Sequence, residues 1–397
     1  MRLPVASIAL GILLCGVFST ADDNRTQYPA WLANSYFDVN VGYINYPFSQ
    51  TQLEPGYRAD RISIPHAGVR VTLLGHNFNK YLSAQVSYTR PVLWIRYTDT
   101  NGVFTNRSVW MNVGGLTARG TLPLTNRFSM YAEGGLGIVT RSGFKVDDKD
   151  VVKDVSYPAV LVGTGLKYHL NKTWDLQASA VFVPPNNKFR QPYTVMFAGG
   201  AVINMRPLST EQVQTNARPG AIFPRNMIQI GTATNMFGTG VNHFVSGGKV
   251  PIFWGGNAEV EVANIARYQR NVFHTKRVFA LDVGLSATSL RSIGQRTEFM
   301  AFSAFPQFRF MVLRTTPADM YLNYSLAGPT YITKTRINGH DTGRHFTFQD
   351  LMGLGCFVGK QRQINLEVGI GHYSNGNLFS RNAGVKIPLT FMAGYTF

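Results

Sequence analysis

The chain has 397 residues, is 45% hydrophobic and 15% charged, and carries a formal net charge of +17. Beyond its N-terminal region it has no apolar run of about 18 or more residues, which excludes a helical membrane protein. Its charged fraction is also low for a soluble protein, in which about 25% is normal. A transmembrane β-barrel explains both features, because alternate residues of each strand face lipid while their neighbours face a polar interior.

Residues 1–21 have the pattern of a secretory signal peptide. A basic residue, an apolar core and three small residues before Asp22 predict cleavage after Ala21. Acylation of Cys15 as a lipoprotein is the alternative, which the bulky leucine before that cysteine disfavours. After cleavage Cys356 is the one remaining cysteine, so we expect no intramolecular disulfide and an inert thiol on an apolar strand face.

The excess of basic residues bears on the binding partners. An exported chain without basic helices or zinc-ligand spacing is not expected to bind nucleic acid. The phosphates of lipopolysaccharide, in an outer membrane, are better partners for Lys and Arg side chains. We therefore expect lipopolysaccharide and other outer-membrane lipids as partners of some of these basic residues, while most of the basic residues are expected to be solvated loop charges.

Apolar residues alternate with polar or small ones along nearly the whole chain, as in half-buried strands. The alternation predicts strands near residues 35–45, 68–76, 81–91, 111–124, 128–141, 157–170, 173–185 and 193–205. After a proline-bearing polar stretch it predicts further strands near residues 226–237, 250–270, 278–290, 300–313, 320–334, 346–360, 363–376 and 385–397.

The interruption at residues 206–225 predicts two tandem eight-stranded barrels, at residues 22–205 and 226–397. A single sixteen-stranded barrel is the alternative. Even strand numbers place both ends of each barrel in the periplasm of a Gram-negative cell, so the linker would be periplasmic. Side chains fill the interior of an eight-stranded barrel, which argues against a porin-like channel.

One segment of the last barrel could support chemistry. Because side chains alternate between the two sides of a strand, the even-numbered His372 and Ser374 continue the outward, lipid-facing side of strand 363–376. We call this odd or even alternation the parity of a residue. A histidine two residues from a serine on one side of a strand can act as general base for its hydroxyl. A nucleophile that faces the bilayer indicates a lipid substrate, although both residues could simply belong to the polar girdle above the lipid.

The run His372-Tyr373-Ser374-Asn375, followed by Asn382 and Gly384, resembles the active-site signature of the lipid A 3-O-deacylase (acyloxyacyl hydrolase) family. Residues 346–355 are similar to the strand that precedes it. The resemblance implies an eight-stranded barrel that hydrolyses an ester-linked acyl chain of lipid A with a Ser-His-Glu triad, and needs no metal or cofactor. It makes Ser374 the nucleophile, His372 its base, and Asn375, Asn382 and the backbone near Asn377 the groups that position substrate and oxyanion.

The family's glutamate is absent from the expected place, which Lys386 occupies. We predict that Asp350 replaces it. If Val358 pairs with Ile364, the paired numbers sum to 722, and Asp350 lies directly across from His372. A slip of two residues would instead place Asp350 opposite Ser374. Alternatively, Asp350 lies above the hydrocarbon and is simply solvated, or pairs with a loop arginine. Glu367 has the opposite parity and is expected in a polar network inside the barrel.

Four basic residues in or beside the loops that border His372 are expected to pair with lipid A phosphates: Arg336, Arg344, Arg381 and Lys386. The sequence thus predicts an outer-membrane esterase acting on lipid A. The alternative is a non-catalytic barrel that binds lipopolysaccharide or is structural. In the first half, we interpret His66, His76 and His169 as girdle or loop residues, with no serine, histidine and acid arrangement that forms a site.

Overall fold

The computed structural model describes residues 25–218, 220–237, 256–379 and 381–397. The predicted signal peptide, residues 1–21, lies outside the described residues, as does the beginning of the strand expected at 250–270. Within the described ranges, no helix is long and apolar enough to cross a membrane.

The N-terminal half is a closed antiparallel barrel. Eight strands form it, in the circular order β1-β3-β4-β6-β7-β10-β11-β12. The strands of this half are β1 (Ser35–Asn45), β2 (Ala59–Ser63), β3 (Ala67–Asn77), β4 (Leu82–Pro91), β5 (Ile95–Thr100), β6 (Val103–Pro123), β7 (Phe128–Ser142), β8 (Phe144–Val146), β9 (Lys149–Val152), β10 (Val155–His169), β11 (Trp174–Val183) and β12 (Thr194–Met205). Two 3-10 helices, Gln50–Gln52 and Asn187–Phe189, lie in its loops.

The four strands outside this circle were not predicted. β2 and β5 extend the sheet along β6, and β8 and β9 form a hairpin. The acidic residues Asp147 and Asp148 make the turn of that hairpin, with φ of 50° and 60°. These strands pack with buried apolar residues at one end of the barrel, among them Ile44, Ile95 and Tyr97. The opposite end has short turns at residues 78–81, 124–127 and 170–173, and we call it the turn end.

The C-terminal half is a second closed barrel of eight antiparallel strands, in the order β13-β14-β15-β16-β17-β20-β21-β22. Its strands are β13 (Asn226–Thr234), β14 (Ala258–His274), β15 (Phe279–Ser292), β16 (Glu298–Arg314), β17 (Ala318–Ile332), β18 (Arg336–Ile337), β19 (His340–Asp341), β20 (Phe346–Val358), β21 (Ile364–Ser374) and β22 (Val385–Thr396). β18 and β19 form a hairpin in the β17–β20 loop. Two barrels are therefore confirmed, and the single sixteen-stranded barrel is excluded.

The alternation has the expected physical consequence in both barrels. Outward residues such as Ile230 and Leu366 are apolar and exposed, as a lipid-facing surface requires. Inward residues are polar and buried. Glu133 pairs with Arg70 at 2.6 Å and Arg119 at 3.1 Å in the first barrel. Such networks satisfy polar groups that would be costly to bury alone.

In the C-terminal barrel, Glu367 pairs with Arg267 at 3.0 Å and accepts a hydrogen bond from the Tyr321 hydroxyl at 3.1 Å. Its inward position was predicted from parity. Glu367 therefore belongs to the interior network and not to the outward face.

The segment 206–225 contains a short helix, α1 (Thr210–Ala217), which Ser209 caps. By contacts the chain divides into two compact units. One contains residues 30–207 and 377–380; the other contains residues 25–29, 208–376 and 381–397 among those described.

Candidate functional site

The outward face of the β20–β21 hairpin holds the predicted acid and base. Asp350 pairs with His372, and Val358 pairs with Ile364, so the predicted register is confirmed. The Asp350 Oδ2 to His372 Nδ1 distance is 3.8 Å, which is ion-pair range but longer than a hydrogen bond. The side chain of His372 is only 2% exposed and that of Asp350 is 16% exposed.

Asp350 is fixed from its other side by β17. The Ala327 backbone amide donates to Asp350 Oδ1 at 2.8 Å. β17 has a β-bulge here, between Ser325 and Gly328, and Ala327 adopts a left-handed φ of 52°. A bulge re-aims the backbone groups of its strand. One carboxylate oxygen is thus held by the bulge while the other faces the imidazole.

Ser374 ends β21 and lies opposite Phe348. Asn382 Nδ2 donates to Ser374 Oγ at 2.9 Å, and the Gly376 amide donates to it at 3.2 Å. Ser374 Oγ also donates to Asn382 Oδ1 at 3.3 Å. The two residues share one face, as predicted, and the hydroxyl points toward Asn382.

Asn375 and Asn382 order the loop that follows β21. The Asn375 side-chain amide donates to the backbone carbonyls of Thr342 and Arg381, at 3.0 and 2.7 Å. Because both hydrogens of that amide are used, the side chain of Asn375 fastens two loops together rather than presenting a donor to substrate. Asn382 Oδ1 accepts a hydrogen bond from the backbone amide of Asn375 at 3.0 Å. By contacts, Asn377 groups with the other compact unit, and it adopts a left-handed φ of 58°.

Lys386 lies beside His372 on the side opposite Asp350. It pairs with His372 across β21 and β22, and with Glu259 where β14 runs parallel to β22. Lys386 Nζ is 3.6 Å from Glu259 Oε1. Asp350, His372, Lys386 and Glu259 therefore form one row of ionisable side chains across four strands, with the two basic groups between the two carboxylates.

The remaining predicted phosphate ligands lie in the loops at this end of the barrel. Arg336 and Arg344 are exposed. Arg381 forms an ion pair with Asp341 at 2.9 Å, which links two loops. Within the described part of the chain, no three His, Cys, Asp or Glu side chains are grouped as metal ligands.

Two parts of the chain match family models of known proteins. Residues 8–183 match the family model described as outer membrane protein beta-barrel domain. The chain is an integral β-barrel protein of the outer membrane. Residues 265–396 match the family model of lipid A 3-O-deacylase (PagL). The resemblance read from the His372 and Ser374 segment is thereby confirmed, and the C-terminal barrel is similar to the lipid A deacylases.

Solved structures also match. Neisserial surface protein A matches with a TM-score of 0.30 and 12% identity over 43% of this chain and 97% of that chain. The N-terminal barrel of Pseudomonas aeruginosa OprF gives 0.27 and 18%, over 43% and 98%. The outer membrane enzyme PagL gives 0.29 and 15%, over 43% and 99%. No curated protein sequence matches the chain.

Proposed function

We propose that the C-terminal barrel is an outer-membrane esterase that hydrolyses an ester-linked acyl chain of lipid A. The observation that carries the proposal is the outward pairing of Asp350 with His372, two residues from Ser374 on the same lipid-facing strand side. The three groups lie on the outward side of the hairpin, where the Ser374 hydroxyl is part of a half-buried side chain, and this position suits a substrate that is itself a membrane lipid.

In the proposed reaction, Ser374 Oγ attacks the ester carbonyl carbon while His372 takes the hydroxyl proton. The ester C–O bond then breaks, His372 returns the proton to the leaving sugar hydroxyl, and the acyl group stays on Ser374. Water releases the fatty acid in a second attack with His372 again as base. Asp350 orients the imidazole and stabilises its protonated form.

The proposed reaction requires one side-chain rotation from the geometry seen in the structure. Ser374 Oγ must turn from Asn382 toward His372 when substrate binds, and catalytic hydrogen bonds are often looser before the substrate is present. That rotation would free Asn382 Nδ2 and the Gly376 amide, which now both donate to Ser374 Oγ. Two donors released beside the nucleophile could then stabilise the oxyanion.

Four cations in or beside the loops supply the proposed headgroup recognition. Arg336, Arg344, Arg381 and Lys386 border the site, and guanidinium groups bind phosphate oxygens in bidentate fashion. Lipid A seated with its phosphates on this cluster would present an acyl ester near the outward face of β21.

Mass spectrometry of lipid A from cells that express the protein tests this proposal. Loss of one acyl chain relative to an empty vector, reversed by Ser374→Ala at equal amounts of folded protein, is the expected result. An unchanged acylation pattern with well-expressed wild-type protein contradicts it.

A second candidate function is a non-catalytic barrel that binds lipopolysaccharide. It is favoured by the hydrogen bonds that hold Ser374 Oγ on Asn382, and by Lys386 at the place where the related family has glutamate. This candidate predicts binding to lipid A vesicles that Ser374→Ala leaves unchanged, with no released fatty acid from either protein.

A further inference from the structure

Three residues at the turn end of the N-terminal barrel form a connected serine, histidine and aspartate set. Ser129 Oγ is 3.2 Å from His169 Nε2, and His169 Nδ1 is 2.9 Å from Asp175 Oδ1. His169 pairs directly with Asp175 across the β10–β11 hairpin. The sequence interpretation of His169 as a girdle or loop residue did not include these two partners, which its ring connects at the end of β10.

In the neutral imidazole of His169, the carboxylate partner determines which nitrogen is basic. A carboxylate at Nδ1 requires the Nδ1 proton, which leaves Nε2 as the acceptor of the Ser129 hydroxyl. Asp175 is held in turn, because Asn204 Nδ2 donates to Asp175 Oδ2 at 3.0 Å. Each member of the set is therefore oriented by the next, which is the arrangement that activates a serine nucleophile.

The set opens into a cavity of about 470 Å³. Ser129, His169 and Asp175 line it, together with the cationic residues Lys80, Lys167 and Arg206. Lys167 pairs directly with Ser129 across β7 and β10, and its ammonium lies 4.9 Å from the centroid of the Tyr36 ring. Asp175 is the one carboxylate among the residues that line the described cavity, and it is occupied by His169 and Asn204.

We propose that Ser129, His169 and Asp175 form a second hydrolytic site, which takes small acyl esters that carry a negative charge. The size of the cavity excludes a complete lipid A molecule, and its three cations favour an anionic ligand. This site lies entirely within the N-terminal barrel and does not depend on the function proposed for the C-terminal barrel.

The proposed step is an acyl transfer followed by hydrolysis. Ser129 Oγ bonds to the ester carbonyl carbon and its proton moves to His169 Nε2. The alcohol leaves with that proton as the C–O bond breaks. Water then attacks the acylated serine, its proton passes through His169 to Ser129, and the carboxylic acid is released. No oxidant, reductant or metal is required.

The first experiment treats the folded full-length Ser374→Ala protein with a fluorophosphonate, which phosphonylates activated serines. The Ser374 background removes the other candidate nucleophile. We expect label on the peptide that contains Ser129, and labelling slower by about 10²-fold or more in His169→Gln and Asp175→Asn, as for other oriented serine sites. Heat-modifiable migration on gels confirms that each variant retains its barrel.

The chain supplies an internal control. Ser35 lines the same cavity and its hydroxyl is 3.3 Å from His76 Nδ1, but among the described residues no carboxylate pairs with that histidine. Ser35 should stay unlabelled. Absence of label on Ser129 in the folded protein, equal labelling in His169→Gln, or equal labelling of Ser35 would overturn the proposal and leave the set as a structural network.

The second experiment tests the charge of the substrate. The Ser374→Ala protein should hydrolyse the nitrophenyl monoester of a four-carbon dicarboxylic acid about tenfold faster than the nitrophenyl ester of the neutral four-carbon acid, a difference of about 1.4 kcal/mol. Lys167→Met should reduce that preference, and Ser129→Ala should abolish both activities. Hydrolysis that survives Ser129→Ala would contradict the assignment.

Discussion

Asp350 interrupts an apolar strand face, and a carboxylate in that position is costly unless it has partners. The structure supplies two: the Ala327 amide and the His372 imidazole. A carboxylate that was simply solvated above the hydrocarbon layer would need neither of these partners. We therefore expect Asp350 to act through His372 as the acid that the glutamate provides in the related family.

Replacing this acid tests its role. Asp350→Asn should lower hydrolysis of lipid A by orders of magnitude, about 10⁴ in the serine-protease precedent, because the amide cannot stabilise the imidazolium. Fatty acid release from lipid A vesicles measures the rate, and heat-modifiable migration reports folding.

Asp341→Asn is the matched control, since Asp341 is a carboxylate of the neighbouring loop that pairs with exposed Arg381. It should retain most of the activity. A fully active Asp350→Asn protein beside an inactive Ser374→Ala protein would mean that His372 works without this acid.

Glu367 should behave in the opposite way. Glu367→Gln breaks a buried pair with Arg267 and should cost about 3–5 kcal/mol of unfolding free energy. Because the side chain points inward, the activity per folded molecule should stay unchanged. Urea unfolding in detergent measures the first quantity, with exposed Glu298→Gln as the control, and a specific loss of turnover would assign Glu367 a part in the outward site.

The loop cations should act together. A single exposed ion pair is worth about 0–1 kcal/mol, so only a cluster can select a phosphorylated lipid. Replacing Arg336, Arg344, Arg381 and Lys386 by Gln should weaken binding to phosphorylated lipid A more than to its dephosphorylated form. Binding to vesicles of each lipid measures this.

The same replacement of Lys276, Arg277 and Lys360, which are exposed at the other end of the barrel, should leave that selectivity unchanged. An equal loss of affinity for both lipids in the loop variant would show that its cations are ordinary surface charge.

At the scale of strands, the alternation of apolar and polar residues and the length of a turn predict how neighbouring strands face and pair. Outward and inward sides follow from alternation, and the register of β20 and β21 follows from their short turn at residues 359–363, which leaves little freedom for slippage. The pairing of Asp350 with His372 could therefore be predicted from sequence. The hairpin of β10 and β11 is of the same kind, and its register would have placed His169 beside Asp175.

Other features depend on contacts that local patterns do not contain. The β17 bulge that fixes Asp350 inserts a residue with no sequence mark except Gly328, and β22 has another irregularity opposite Ile370. Ser129 reaches His169 because β7 pairs with β10, which are separate in sequence. The hydroxyl of Ser374 could not be placed on Asn382 from parity, since parity gives a side and not a rotamer.

The bulge gives a prediction about backbone strain. Ala327 has a left-handed φ of 52°, which costs an L-residue about 1–2 kcal/mol and costs glycine almost nothing. Ala327→Gly keeps the amide that holds Asp350, so it should raise the unfolding free energy by up to about 1 kcal/mol at unchanged activity. Urea midpoints and turnover measure both, and a loss of turnover would show that the alanine methyl group itself supports the site.

At the scale of the whole molecule, the C-terminal unit recruits a segment from before the first barrel. The Gln27 side chain makes two hydrogen bonds with the backbone of Leu208. It donates to the Leu208 carbonyl at 3.0 Å and accepts from the Leu208 amide at 2.9 Å. Tyr28 packs on Phe273 with ring centroids 4.7 Å apart. Residues 25–29 therefore belong with the second barrel, and the first barrel is inserted between Pro29 and Leu208.

This arrangement predicts that the first barrel can be removed as a unit. A chain in which Pro29 is joined to Leu208 by a short glycine linker keeps the Gln27 and Tyr28 contacts and all eight strands of the second barrel. It should fold in the outer membrane and keep the lipid A hydrolysis that depends on Ser374. A chain truncated to begin at residue 216 loses residues 25–29 and should also be active, with a lower urea midpoint. Folding and insertion of the joined chain without activity would show that the first barrel takes part in the reaction of the second.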